Sequence, residues 1–145
     1  MKPSEVRERV LAEHDALRAR LNHLDQAARQ VLAGERALLG ALRLEGEALL
    51  KLLLEHMQWE DVHLAPALLR ADPAGAERAA QLAREHREQR ELLEHTLRAL
   101  QDQTRPTVVL ARSLVDLADL LQREMADEEA SLLEERVLRD EPEVG

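Results

Sequence analysis

Apolar residues return every three or four positions along nearly the whole chain: Val10, Leu17, Leu21 and Leu24; then Leu49 and Leu52; then Leu82, Leu93 and Leu97; then Leu117, Leu121 and Leu132. That spacing puts side chains on one face of a helix, whereas strands would need strict alternation. Punctuation cuts the pattern into four segments, about 4–33, 35–70, 73–101 and 106–139. Ser4 after Pro3 is placed to cap the first, and Ala33-Gly34 interrupts it. Asp72-Pro73 reads as an N-cap with proline at the first helical position; Thr104-Arg105-Pro106 opens the last segment, which frays near Asp140-Glu141-Pro142. Connections this short join antiparallel neighbours, so the pattern predicts an all-α fold: one domain over 1–145, an antiparallel up-down-up-down four-helix bundle.

The stripes are broken by polar residues at the positions where leucine is expected. His14 interrupts the first, His56, Glu60 and His63 the second, His86 the third, and Glu124 and Glu128 the fourth. With a rise of about 1.5 Å per residue, His14, His56, Glu60, His86, Glu124 and Glu128 all lie roughly 15–22 Å from one end of the bundle. Six ionisable groups therefore share one layer.

Composition narrows the class further. The chain is 45% hydrophobic but 1% aromatic, and Ala, Leu, Glu and Arg supply most of it, which favours helix throughout. The net charge of -9 is spread as interleaved acids and bases, without the basic face a nucleic-acid binder needs. Neither a membrane-spanning apolar run nor the apolar stretch of a secretory signal is present, so the expected setting is cytoplasmic. Cys is absent, which excludes disulfides, thiolate metal sites and cysteine nucleophiles.

An internal repeat relates the two halves. AEHDALRARL (12–21) matches REHREQRELL (84–93), and EHMQWEDVHL (55–64) matches REMADEEASL (123–132). The repeat aligns His14 with His86, His56 with Glu124, and the acid pair Glu60-Asp61 with Glu128-Glu129. A helical hairpin used twice would set two equivalent ligand sets across a pseudo-twofold axis. Buried carboxylates and imidazoles are costly unless something neutralises them. Two divalent cations about 3.5–4 Å apart would do so, carboxylates bridging and histidines terminating each end. By ligand type, iron, manganese and zinc all suit such a set.

The order EH, then H-x-x-x-E-D-x-x-L-x-P (His56, Glu60, Asp61, Leu64, Pro66), then EH, then E-E-x-x-L (Glu128, Glu129, Leu132) resembles the hemerythrin-like HHE cation-binding domain over nearly the whole chain. The resemblance implies a centre of two non-heme iron ions with His14, His56, Glu60, His86 and Glu128 as ligands. It further implies binding, sensing or handling of O2, NO, peroxide or iron, with a small diatomic molecule or peroxide as partner. Two positions depart from the family pattern. Glu124 stands where the family usually has a histidine, and Arg90 where oxygen-carrying members have a second one. Glu124 is then either a sixth ligand or the ion-pair partner of Arg90.

Other polar residues have plainer expectations. His63 is read as a partly exposed histidine near the helix end, His23 and His95 as solvent-facing, and Glu45 as a solvated residue three turns from the layer. Arg18 and Arg90, repeat-equivalent, are expected in flanking salt bridges, and Trp59 in packing. Two rivals remain open at this point: a di-metal oxidase or ferroxidase-like enzyme, suggested by the carboxylates, and a metal-free helical interaction module whose polar layer sets register.

Overall fold

A computed structural model describes residues 1–71 and 74–140. Four helices carry the fold: α1 (Pro3–Leu32), α2 (Leu39–Leu69), α3 (Gly75–Gln101) and α4 (Thr107–Ser131), with one 3-10 turn, Arg36–Leu38, before α2. Helix α1 packs on α2 and α4, and α2 on α3, whereas α3 and α4 touch much less. This is the four-helix bundle the periodicity predicts. Among the described residues, no helix is long and apolar enough to cross a membrane.

The ends differ from the sequence reading in instructive ways. Helix α1 begins at Pro3 behind Lys2, so Ser4 is not its cap. Instead the Ser4 amide and hydroxyl both donate to Asp140, at 3.0 and 2.6 Å, and a carboxylate from the far end of the chain supplies the acceptor. Helix α4 was expected to run to 139 but stops at Ser131. Beyond it the chain turns, burying Leu132, Leu133, Val137 and Leu138 under the bundle end, while Arg7 Nε donates to the Leu133 carbonyl at 2.6 Å. A straight helix would have carried much of this apolar surface past the core. The Asp72-Pro73 cap and the Glu141-Pro142 end fall outside the described residues.

Gly34, at φ 110°, lets the chain leave α1 in the left-handed region. The stripe of α2 also differs in phase: Leu49, Leu53, His56, Glu60 and Leu64 face inward, while Leu52 and His63 turn partly out. The apolar interior is thereby divided. One cluster runs from Leu17 and Leu53 toward Val31 and Leu110; the other joins Val6, Val10, Leu64, Leu68, Leu82 and Leu132. His14, His56, Glu60, His86 and Glu128 lie buried between them.

Candidate metal centre

Each helix contributes to the layer at the turn where its stripe changes from apolar to polar. His14 comes from α1, His56 and Glu60 from α2 one turn apart, His86 from α3, and Glu124 and Glu128 from α4 one turn apart. His14 and Glu60 are 1% exposed, His86 2% and Glu128 6%. The strand of chemistry joining them is short. His56 Nε2 lies 2.8 Å from Glu60 Oε1, His86 Nε2 3.5 Å from that same oxygen, and His14 Nε2 3.8 Å from Glu128 Oε1. Donor atoms of His14, His56 and Glu60 all lie within 4.8 Å of one another, close enough to hold one ion.

One observation tests whether this layer fits a cation. Among the described residues, the buried side-chain nitrogens and oxygens without a hydrogen-bond partner are His14 Nε2, His56 Nε2, Glu60 Oε2, His86 Nε2, Glu124 Oε2 and Glu128 Oε1. Every residue of the six-residue layer supplies one such atom. Unmade hydrogen bonds at buried polar atoms cost about 1–3 kcal/mol each, so their confinement to one layer calls for a common partner. Several of these atoms border a small internal cavity of about 20 Å³ lined by His14, His56, Glu60, Gln89, Glu124 and Glu128. It has room for one water-sized guest as the side chains stand.

The opposite nitrogens are all occupied. His14 Nδ1 meets Glu129 Oε2 at 3.3 Å, His56 Nδ1 meets Glu13 Oε2 at 3.1 Å, and His86 Nδ1 meets Asp61 Oδ1 at 2.6 Å. Two of these carboxylates are in turn held by arginine: Arg18 Nη2 donates to Glu129, and Arg90 Nη2 donates to Asp61 at 2.8 Å. Arg9 stands 3.9 Å from Glu13 and lies over the Trp59 ring at 4.7 Å. Carboxylates that fix the far nitrogen of a ligating histidine are a recurrent feature of metal sites.

The electrostatics follow from burial and crowding. Burial, and then repulsion from His56, lowers the His14 pKa. For His56 and His86 burial works downward most strongly, but the combined attraction of Glu60 with Glu13 at His56, and of Glu60 with Asp61 at His86, outweighs it and raises both. Burial works to raise Glu60, yet the close approach of Glu128, His56 and His86 holds it well below the carboxylate range. Glu128 goes the other way, pushed well above its ordinary value by burial and by the facing Glu60. Two carboxyls that meet in a dry layer keep one proton between them unless a cation takes its place.

The structure brings together all six layer residues. Arg90 pairs with Asp61, so the ion pair considered for Glu124 is not formed, and Glu124 lines the cavity beside Gln89. His63 stacks on Trp59 at 4.5 Å, away from the cavity, while exposed His23 pairs with Glu45 at 3.2 Å and His95 is exposed. Glu13, Asp61 and Glu129 were missed as histidine partners. The signal was present as the acid immediately before or after a layer residue, since a neighbour 100° around the helix faces the adjoining helix.

A four-helix bundle with a buried layer of histidine and glutamate donors, each presenting an unpartnered atom, defines a cation-binding protein. The chain belongs to the hemerythrin family: the model of the hemerythrin HHE cation-binding domain matches residues 6–135. Comparison with curated proteins and with solved structures returned no match.

Proposed function

We propose that this is a cytoplasmic non-heme di-iron protein that binds, senses or handles O2, NO, peroxide or iron. His14 and His56 would hold one ion, His86 and Glu124 the other, with Glu60 and Glu128 between them. The single observation that carries the reading is the coincidence of the unpartnered buried atoms with those six residues. Glu60 and Glu128 would hold the ions as carboxylates.

Iron bound there would supply reversible ligand binding and one-electron chemistry toward small oxidants. The chain's own part is to orient the imidazoles through Glu13, Asp61 and Glu129, to keep bulk water out with Leu17, Leu53, Leu93 and Leu121, and to leave a path for small molecules. A groove of about 300 Å³ between α1 and α2 has His56, Leu17 and Trp59 in its wall and offers that path.

The test is metal content together with an absorption spectrum, on protein purified without chelator and after anaerobic loading with Fe(II). About two irons per chain with an oxo-bridge absorption band is the expected result. Colourless protein that takes up no transition metal would overturn the reading and leave the layer as a register device. The carboxylate-rich donor set also favours an oxidase or ferroxidase-like activity. Repeated turnover of Fe(II) or peroxide per site would establish that activity, and a single stoichiometric event would exclude it.

A further inference from the structure

The repeat maps α1 onto α3 and α2 onto α4, and the surroundings of the layer obey it. Arg18–Glu129–His14 and Arg90–Asp61–His86 are the same three-residue chain written twice, each joining one helix to its partner across the α1–α4 or α2–α3 contact. The equivalence fails at two pairs of positions: Gln89 lines the cavity where the other half has Leu17, and Glu124 stands where the other half has His56. His56, between α1 and α2, offers a neutral nitrogen and is steadied by Glu13. Its counterpart Glu124, between α3 and α4, offers a carboxylate oxygen, and the counterpart of Glu13 is Glu85, a second acid.

Around Glu124 the charges are of one sign. Glu85, Glu88 and Asp127 all act on it repulsively, the neutral Gln89 lines the cavity beside it, and Glu85 is itself held by Gln81 at 2.9 Å. Among the described residues no arginine or lysine forms an ion pair with any of these four acids, and Arg90 is committed to Asp61. Of the helix pairs that neighbour each other around the bundle, α3 and α4 pack least closely. Glu124 Oε2 is nonetheless buried and unpartnered, as is an oxygen of Glu128, itself 6% exposed. A cation would partner both oxygens.

Resting on the two-metal reading above, we propose that the two positions are chemically unequal and that the centre accommodates two different metals. The α1–α2 position, with two imidazoles and Glu60, takes a nitrogen-preferring ion such as Fe(II) or Zn(II). The α3–α4 position, with one imidazole, Glu124 and Glu128 amid further acids, is oxygen-rich and takes a harder ion such as Mn(II). The centre therefore fills in order, the imidazole pair first.

The experiment loads metal-free protein with one equivalent of Zn(II), then one of Mn(II), removes unbound ions, and reads elemental content and the manganese EPR spectrum. One zinc and one manganese per chain, with the spectrum of an isolated Mn(II), is expected. In Glu124→His the positions become alike, and manganese binding beside zinc weakens at least roughly tenfold, the lower end of the cost of altering a metal site. Glu124→Gln, which keeps the shape and loses the charge, shifts in the same direction if the histidine variant folds poorly. Coupled Mn–Mn pairs in the parent chain, or equal manganese retention in parent and variants, would overturn the inequality while leaving a two-metal centre standing. Total uptake below two ions under every loading scheme would overturn the two-metal reading and this inference together.

Discussion

Tying Nδ1 of His14, His56 and His86 to a carboxylate fixes the orientation of each ring and leaves Nε2 directed into the layer. Arg18 and Arg90 act one step further out, by holding Glu129 and Asp61. Arg18→Ala and Arg90→Ala should therefore weaken metal binding about 10–100-fold in a chelator competition. The metal-free melting temperature should barely move for Arg90→Ala, whose ion pair is exposed, and only modestly for Arg18→Ala, whose pair is part-buried. A large loss of metal-free stability with unchanged affinity would make them ordinary braces. Glu128→Leu tests the cost of the layer itself. It removes a buried carboxyl beside Leu121, Met125 and Leu132, and should stabilise the metal-free chain by about 1 kcal/mol or more while abolishing metal-linked stabilisation in the same thermal scans. The six inward residues were legible because they replace leucine on a stripe and repeat between halves. Their carboxylate partners were not, since reaching across to another helix depends on its rotation, which spacing along one chain does not encode.

Helix placement was legible where apolar periodicity alone decides it and lost where the chain must turn. Helix α4 ends at Ser131 because Leu132, Leu133, Val137 and Leu138 are buried together only if the chain folds under the bundle. Nothing in their spacing distinguishes that from a continuing helix. The glycines separate the same two cases by experiment. At Gly75, where α3 leaves the end of α2, an added Cβ would stand 2.4 Å from the Leu68 carbonyl oxygen and 2.7 Å from that of Leu69. Those are backbone atoms that cannot swing aside. Gly75→Ala should cost about 1–3 kcal/mol in urea unfolding. At Gly40, early in α2, nothing lies within 4 Å of the added methyl. Gly40→Ala should stabilise by up to about 1 kcal/mol through helix propensity. Equal effects of the two substitutions would mean that the α2–α3 junction is looser than the close approach requires.

For the whole molecule, a polar layer that splits the apolar interior makes stability depend on what occupies it, and the pKa shifts give that dependence a sign. His56 and His86 are raised in the folded chain, so their contribution is complete below the unfolded histidine value of about 6.5 and is lost as pH rises through the folded values. Glu128, also raised, works in the same sense from the carboxylate range upward. Glu60 is lowered, so its contribution persists at neutral pH and fails only in acid. His14, lowered, contributes above about 6.5 and loses that contribution as pH falls. Going from about pH 6.5 to about pH 8.5, the metal-free chain should therefore melt at a lower temperature. Metal reverses the slope, because imidazole and carboxylate ligate only when deprotonated, and tighter binding at higher pH adds stability to the folded state alone. Thermal scans at the two pH values, in chelator and in excess Zn(II), should give slopes of opposite sign, with a proton released on metal uptake in weak buffer. Parallel slopes would mean that the layer titrates without exchanging protons for metal, and that its carboxyl pair is held by the shared proton alone.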